Sequence, residues 1–261
     1  MPFPLRNRTA MVTGATSGIG RATAVALAQA GADGCLNHWG QAEETNLAAR
    51  EIQDLGRRVL VHEADVSDLA AVEAMTQAVV DSWGRLDVAV SNAYFSEREP
   101  LHEANMETFH RTMDVTMCGA LHLFRAASRQ MIDQGQGGSL VAVGSPHAWI
   151  PFAGSMAYNM SKAATVQMAK TAALELAEHR IRVNVVHPGW TDTPGERKFL
   201  SDEEMRAAAA ELPWGRMARP EEIARAVVFF CDPESDYLTG SELLVDGGIT
   251  LPWRTENGKL D

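Results

Sequence analysis

The sequence predicts a single α/β domain in which a doubly wound, parallel β-sheet of about seven strands carries helices on both faces. Three observations carry this. Short apolar runs alternate with longer, helically spaced apolar patterns along nearly the whole chain. No low-complexity linker divides the 261 residues, which suffice for one sizeable core. The first short run opens directly into a glycine-rich turn and then a helical pattern. Ligands on such a sheet are expected at the carboxyl ends of the strands.

The elements follow in order. Ala10 to Thr13 reads as a buried strand, and Ile19 to Ala30 as an Ala-rich helix that stops at Gly31. Gly34 to Asn37 is a weak strand, Ala42 to Leu55 a helix ended by Gly56, and Val59 to Glu63 a strand. Val72, Met75, Val79 and Trp83 keep helical spacing and form one apolar stripe. Val88 to Ser91 is a strand, and Met106 to Gln134 one long helix closed by a Gly-rich turn. Leu140 to Val143 is a strand, Ala157 to His179 a long helix, and Ile181 to Val186 a strand. Ser201 to Leu212 and Pro220 to Cys231 are helices, and Glu242 to Val245 is the last strand. The Gly-, Pro- and charge-rich stretch from Pro188 to Leu200 is expected to be a mobile loop over the site. Residues 188 to about 215 form a substrate-loop region within the one domain, 1–261.

A net charge of -11 argues against nucleic acid or an anionic membrane as the main partner. No stretch approaches the roughly 18 apolar residues of a membrane span, and the N-terminus lacks the apolar run of a signal peptide. Cys35, Cys118 and Cys231 are odd in number and far apart, with no metal-ligand spacing. Three reduced thiols in a cytoplasmic protein without a bound metal are expected.

Two motifs carry chemistry. In Thr13-Gly-Ala-Thr-Ser-Gly-Ile-Gly20, glycines 14, 18 and 20 let the backbone turn tightly and approach a pyrophosphate, with the following helix supplying N–H donors and positive potential. Tyr158 and Lys162 stand four residues apart, so on a helix they share one face. An ammonium beside a phenol favours the phenolate and lowers a pKa that is otherwise about 10. That makes Tyr158 a proton donor or acceptor near neutral pH, and Ser145, upstream, could hold a substrate oxygen beside it.

The spacing T-G-x-x-x-G-x-G, then Ser145, then Y-x-x-x-K resembles the short-chain dehydrogenase/reductase family, over nearly the whole chain from about Leu5 to Pro252. Asp65-Val66, Ser91-Asn92-Ala93-Tyr94, Pro188 to Thr193, Leu238-Thr239-Gly240 and Val245 to Gly248 resemble further family stretches. The resemblance implies a Rossmann-type fold and hydride transfer between NAD(P)(H) and a carbonyl or secondary alcohol. By it, Ser145, Tyr158 and Lys162 are catalytic: Ser145 orients the substrate oxygen, Tyr158 exchanges its proton, and Lys162 holds the nicotinamide ribose and tunes Tyr158. The cofactor is expected on Gly14, Thr16, Ser17, Gly18, Ile19, Gly20, Asp65, Val66, Asn92, Ala93, Pro188, Gly189, Thr191 and Thr193, besides Tyr158 and Lys162. Two positions depart from the family pattern. Thr116 stands where an Asn is usual, offering a carbonyl and a hydroxyl to a proton relay. Tyr94 stands where Gly is usual, either narrowing the pocket or pointing outward.

The end of the second strand, Leu36-Asn37-His38-Trp39-Gly40, has neither a carboxylate for NAD ribose nor a cation for the NADP phosphate. Asn37 and His38 could bond either ribose, and Trp39 could stack on adenine. NADP is slightly favoured, and dual use is open. The expected substrate wall is His147, Trp149, Met156 and Trp190, with Phe152, Glu196 and Arg197 nearby. Aromatic faces with His, Glu and Arg suit a sugar, polyol or similar small polar substrate. The chain is loosely similar to glucose 1-dehydrogenase-like members. The alternatives are a 3-oxoacyl thioester reductase with the same catalytic residues, and a non-catalytic dinucleotide-binding sensor or scaffold. The resemblance also implies a homotetramer, or a dimer, through the long helices, where Ala163, Ala164, Val166, Ala169 and Ala173 would permit close packing.

Overall fold

The computed structural model describes residues 4–198 and 201–252. Phe199 and Leu200 of the expected loop, and both ends of the expected 1–261 domain, lie outside the described residues. The strands are β1 (Thr9–Val12), β2 (Asp33–His38), β3 (Val59–Glu63), β4 (Val88–Ser91), β5 (Gly138–Val143), β6 (Ile181–Pro188) and β7 (Glu242–Val245). All are parallel in one sheet of order β3-β2-β1-β4-β5-β6-β7. The helices are α1 (Gly18–Gln29), α2 (Ala42–Asp54), α3 (Leu69–Trp83), α4 (Met106–Thr112), α5 (Gly119–Gln134), α6 (Met156–Glu175), α7 (Asp202–Ala210) and α8 (Pro220–Cys231).

Strand alternation divides the core into two layers. Val12, Val90, Val141 and Val143 join the layer of α1, α2 and α8, whereas Met11, Ala89, Leu140 and Ala142 join that of α3, α5 and α6. Each inner strand is apolar on both faces, which is why the strands read as continuous apolar runs. Helix ends are set locally. Asp68 caps α3 by accepting from the N–H groups of Ala70 and Ala71, and Gly84, at φ 75°, ends it.

Two helices differ most from the sequence expectation, the others by at most one or two residues at their ends. Met106 to Gln134 is not one regular helix: a π-type turn at Met113–Cys118 separates α4 from α5. Helical periodicity hardly registers one inserted residue, so the bulge is invisible in the apolar pattern. The helix from Ala157 begins one residue earlier, and its α geometry stops at Glu175, with a 3₁₀ turn at Ala177–His179. The sheet order reverses between β1 and β4, so the crevice of a doubly wound fold opens above those two strands.

Candidate active site

β1 ends at the glycine loop. Gly14 has φ +62°, and a Cβ on Gly20 would sit 2.1 Å from the Gly14 carbonyl oxygen, so neither position admits a side chain without moving backbone. The loop is tied down from β4. Thr13 Oγ1 accepts the N–H groups of Asn92 (3.0 Å) and Ala93 (3.2 Å), while Asn92 Nδ2 donates to the carbonyls of Thr13 and Gly14, each at 3.0 Å. Ser17 gives α1 no side-chain cap, and the Thr16 hydroxyl is paired with that of Thr45 at 3.1 Å. The first turn of α1, from Gly18 and Ile19, therefore presents N–H groups that no side chain caps, at the positive end of the helix. This cradle fits a pyrophosphate. Thr193 comes back over it: a Cβ on Gly18 would lie 3.0 Å from Thr193 Cγ2.

The next stretch holds Asp65, whose carboxylate accepts from the Ser67 hydroxyl (2.7 Å) and pairs with Arg111 (2.8 Å). Burial works to raise its pKa, but these bonds outweigh it and leave it below the usual value. Val66 is buried, and its carbonyl oxygen lies 2.9 Å from His122 Nδ1. Asn37 does not face a ribose as the sequence suggested. Its oxygen accepts from Gly14 N–H at 3.2 Å and its amide donates to the Ala64 carbonyl at 2.9 Å, so it braces the sheet. Beside it His38 is buried with Nδ1 unpartnered, an orphaned polar atom that a ligand hydroxyl would satisfy. Trp39 is 57% exposed at the rim, open to a stacked ring.

Ser145 follows β5, and Tyr158 and Lys162 lie on one face of α6. The Ser145 hydroxyl accepts His147 N–H at 3.2 Å and stands close enough to the Tyr158 phenol to favour its ionised form. Lys162 is buried, and its Nζ donates to the Val143 carbonyl at 2.6 Å while standing 5.4 Å from the Tyr158 ring centroid. The three residues thus meet as the sequence implied, but the electrostatics differ. The Tyr158 phenol is pushed up, not down: burial is the main cause, Tyr94 and Glu196 add to it, and Ser145 only partly offsets them. Lys162 is itself pulled down to about 8 by burial. Sequence spacing gives the neighbours but not the desolvation, which penalises both charged forms.

Thr116 lies in the π-type turn. Its hydroxyl donates to the Phe95 carbonyl and accepts the Phe95 N–H, both at 3.0 Å. It fastens the segment after β4, and its hydroxyl is not at hand for a relay. Tyr94 does not point away from the site. Its ring meets Tyr158 edge-on at 5.9 Å, and a Cβ on Gly195 would come 2.4 Å from its hydroxyl. Tyr94 therefore spans from the Tyr158 phenol to the loop after β6.

The expected substrate wall is partly assembled. His147 stacks on Phe152 at 4.0 Å and meets Tyr158 edge-on at 5.0 Å. Its Nδ1 lies 2.6 Å from Asn159 Oδ1, and Asn159 Nδ2 donates to the Phe152 carbonyl at 3.1 Å. The amide orientation therefore makes Nδ1 the donor and leaves Nε2 a bare acceptor. Burial, helped by Arg98 and Lys162, keeps this imidazole below its ordinary pKa. Trp149 is half-exposed with its edge on His187 at 4.8 Å. Met156 lies two residues before Tyr158, about 200° round the helix, and faces Glu97, Glu99 and Phe109. Trp190 donates its indole N–H to Glu196 at 3.0 Å, and Arg197 is paired outward with Asp192 and Asp202. Pro188 ends β6, Gly189 packs against Asp246 with no room for a Cβ, and Thr191 bonds the Gly189 carbonyl at 3.0 Å.

Sequence reading missed Thr13, Asn159 and the pair His187–Glu242, whose Nε2 and Oε2 are 2.9 Å apart. A histidine inside an otherwise apolar strand run, Val185-Val186-His187, is the one signal that could have pointed there.

Comparison with known proteins agrees with this geometry. The family model described as Enoyl-(Acyl carrier protein) reductase matches residues 14–250. The chain is 36% identical over 246 residues to an L-rhamnose 1-dehydrogenase (NAD(P)(+)) of Sphingomonas sp., covering 94% of this chain and 97% of that one. It is 34% identical over 264 residues to a glucose 1-dehydrogenase of Gluconobacter oxydans, covering 98% of each. The crystal structure of a short-chain type dehydrogenase/reductase from Mycobacterium marinum superposes with a TM-score of 0.89 at 34% identity, covering 95% of this chain and 97% of that one. The glycine cradle, the Ser145–Tyr158–Lys162 cluster and these matches have one conclusion: the chain belongs to the short-chain dehydrogenase/reductase family and is an NAD(P)-dependent oxidoreductase of CH–OH and C=O groups.

Proposed function

We propose that the substrate is a sugar, polyol or similar small polar alcohol or carbonyl, with Ser145, Tyr158 and Lys162 as the catalytic residues. The observation that carries the catalytic assignment is the convergence of Ser145, after β5, with Tyr158 and buried Lys162 on α6, at the carboxyl end of the strands where the glycine cradle also lies. Nicotinamide, when bound, supplies the hydride acceptor or donor and, when oxidised, a positive charge. Ser145 Oγ orients the substrate oxygen. Tyr158 Oη takes the alcohol proton during oxidation and returns it to the carbonyl oxygen during reduction. Lys162, anchored on the Val143 carbonyl, keeps two further N–H donors for ribose hydroxyls. Thr116 serves by holding Phe95, and so the strand-end segment beneath Tyr94.

His147 favours a polyhydroxylated substrate. Its bare Nε2 would accept from a hydroxyl near the reacting carbon, and Phe152 and Trp149 offer ring faces beside it. The rhamnose and glucose dehydrogenases among the relatives support this class. Either dinucleotide is compatible with the end of β2; NADP is slightly favoured because Leu36 to Gly40 carry no carboxylate of their own, and Glu63, which reaches in from β3, is engaged by the Gly40 N–H at 3.2 Å. A homotetramer or dimer through α5 and α6 is supported by exposed Leu121, Met160 and Leu174. Ala169 and Ala173 do not contribute to it, being buried in the subunit's own core. No helix among the described residues is long and apolar enough to cross a membrane. A cytoplasmic location is supported by Cys35, Cys118 and Cys231 all being free thiols.

The test is NAD(P)H absorbance with both cofactors against L-rhamnose, glucose, other sugars, polyols, apolar secondary alcohols and a 3-oxoacyl thioester. Sugar or polyol turnover should exceed the rest. A kcat/KM highest for the thioester would overturn the substrate class. Tyr158→Phe should lose nearly all turnover yet bind cofactor normally; retained turnover would overturn the role of Tyr158.

A further inference from the structure

His187, the residue before the last of β6, is buried and takes part in no step above. Its ring lies between an ion pair and the catalytic serine's backbone. Nε2 is 2.9 Å from Glu242 Oε2 on β7, and the other Glu242 oxygen is 2.6 Å from Lys170 Nζ on α6. Nδ1 is 3.1 Å from the Ser145 nitrogen and 3.2 Å from the Ser145 carbonyl oxygen. Trp149 covers the ring edge-on, and a Cβ on Gly144 would come 2.5 Å from Nδ1. The imidazole is thus wedged beneath the chain that presents Ser145.

The partners fix the tautomer. A carboxylate oxygen only accepts, so Nε2 carries the proton. In the neutral ring Nδ1 is then bare, and it accepts the Ser145 N–H. A second proton reverses this contact: an N–H would face the Ser145 N–H, and the acceptor within reach becomes the Ser145 carbonyl. We propose that His187 is a positioning residue for the catalytic serine: the neutral ring, aligned by Glu242 and Lys170, holds Ser145 by its N–H, and protonation of Nδ1 hands the bond to the Ser145 carbonyl and turns the Ser145 hydroxyl off Tyr158.

The surrounding charges set where this happens. Burial disfavours the imidazolium, Glu242 from β7 and the Ser145 carbonyl favour it, and Lys162 from α6 opposes it. The balance leaves the ring below its ordinary value of about 6.5, so it is neutral at pH 7 and the change occurs on the acid side. Ser145 acts on the substrate oxygen, so the consequence falls on kcat more than on cofactor binding.

The inference rests on Ser145 being catalytic, but its first test needs no turnover. In protein labelled with ¹⁵N-serine and ¹³C-histidine, and assigned with Ser145→Ala and His187→Asn, the Ser145 amide and the His187 ring are followed by NMR from pH 8 to 5. Both should move together, with one midpoint below about 6.5. Glu242→Gln, which keeps an acceptor but removes the negative charge, should lower that midpoint. A Ser145 amide that stays fixed while His187 titrates overturns the proposal. The second test is the acid limb of carbonyl reduction, the direction in which Tyr158 works protonated. His187→Ala should lower kcat roughly tenfold with little change in KM. His187→Asn, whose Oδ1 can accept the Ser145 N–H but takes up no proton, should restore most of that loss and flatten the limb. An unchanged acid limb in His187→Asn refutes the switch, and this variant with the wild-type titration decides the matter even where His187→Ala fails to fold.

Discussion

Replacing Lys162 by Met should stabilise the protein while destroying its activity. Lys162 is 4% exposed, and among the described residues its Nζ donates to the Val143 carbonyl and pairs with no carboxylate. Burial pulls its pKa from 10.5 to about 8. At about 1.4 kcal/mol per pH unit, holding the charged form in the folded site costs roughly 3 kcal/mol at neutral pH. Met has similar length and no charge, so the substitution removes that cost. It also removes the bond to Val143, worth about 1 kcal/mol. The net gain is about 2 kcal/mol, or a Tm higher by about 4–8 °C for a domain of this size. The folded-state pKa lies below the unfolded one, so between them the unfolded chain binds more protons and wild-type stability recovers as pH rises. The advantage of Lys162→Met is therefore full below about pH 8 and shrinks as pH climbs towards 10.5. Thermal unfolding followed by circular dichroism at pH 7.0 and 9.5 measures both the gap and its pH dependence. A variant no more stable than wild type at pH 7, or a gap that fails to narrow at pH 9.5, would refute the account of Lys162 as a strained buried cation.

Three further outcomes are expected. Thr116→Val keeps the shape of the side chain but strands the partly buried N–H and carbonyl of Phe95, so urea unfolding should show a loss of about 1 kcal/mol; an unchanged midpoint would mean that water replaces the hydroxyl. Glu196→Gln removes one of the charges that raise the Tyr158 phenol, so the alkaline limb of carbonyl reduction should move to lower pH, and a shift the other way would contradict that field. Gly20→Ala drives a methyl onto the Gly14 carbonyl and Asn92, so calorimetry should register at least tenfold weaker dinucleotide binding; wild-type affinity would show that the cradle is not where the pyrophosphate sits.

The fold and the site were legible to different depths. β3, β4, α8 and β7 run between the residues read from the sequence, because strands buried on both faces and amphipathic helices leave a period in the chain. Tyr158 and Lys162 were legible as neighbours because helical spacing alone puts residues four apart on one face. The π-type turn around Thr116 was not, since one inserted residue hardly disturbs a helical period, and Phe95, whose backbone Thr116 bonds, comes from a distant segment. Tyr94 illustrates the same limit. Its identity was visible, but whether it faced the pocket depended on where the loop carrying Gly195 came to rest.

By itself the sequence determined the parallel α/β architecture, the glycine cradle and the type of reaction, because each depends on local patterns or on residue chemistry. Tertiary structure decided the electrostatics. Whether Lys162 lowers the Tyr158 phenol or burial raises it depends on how much water the packed site excludes. Which way Asn37 points, and that His187 joins Ser145 to Glu242, depend on strands brought side by side from distant parts of the chain. Desolvation and long-range hydrogen bonding are properties of the assembled layers, and no spacing along one strand records them.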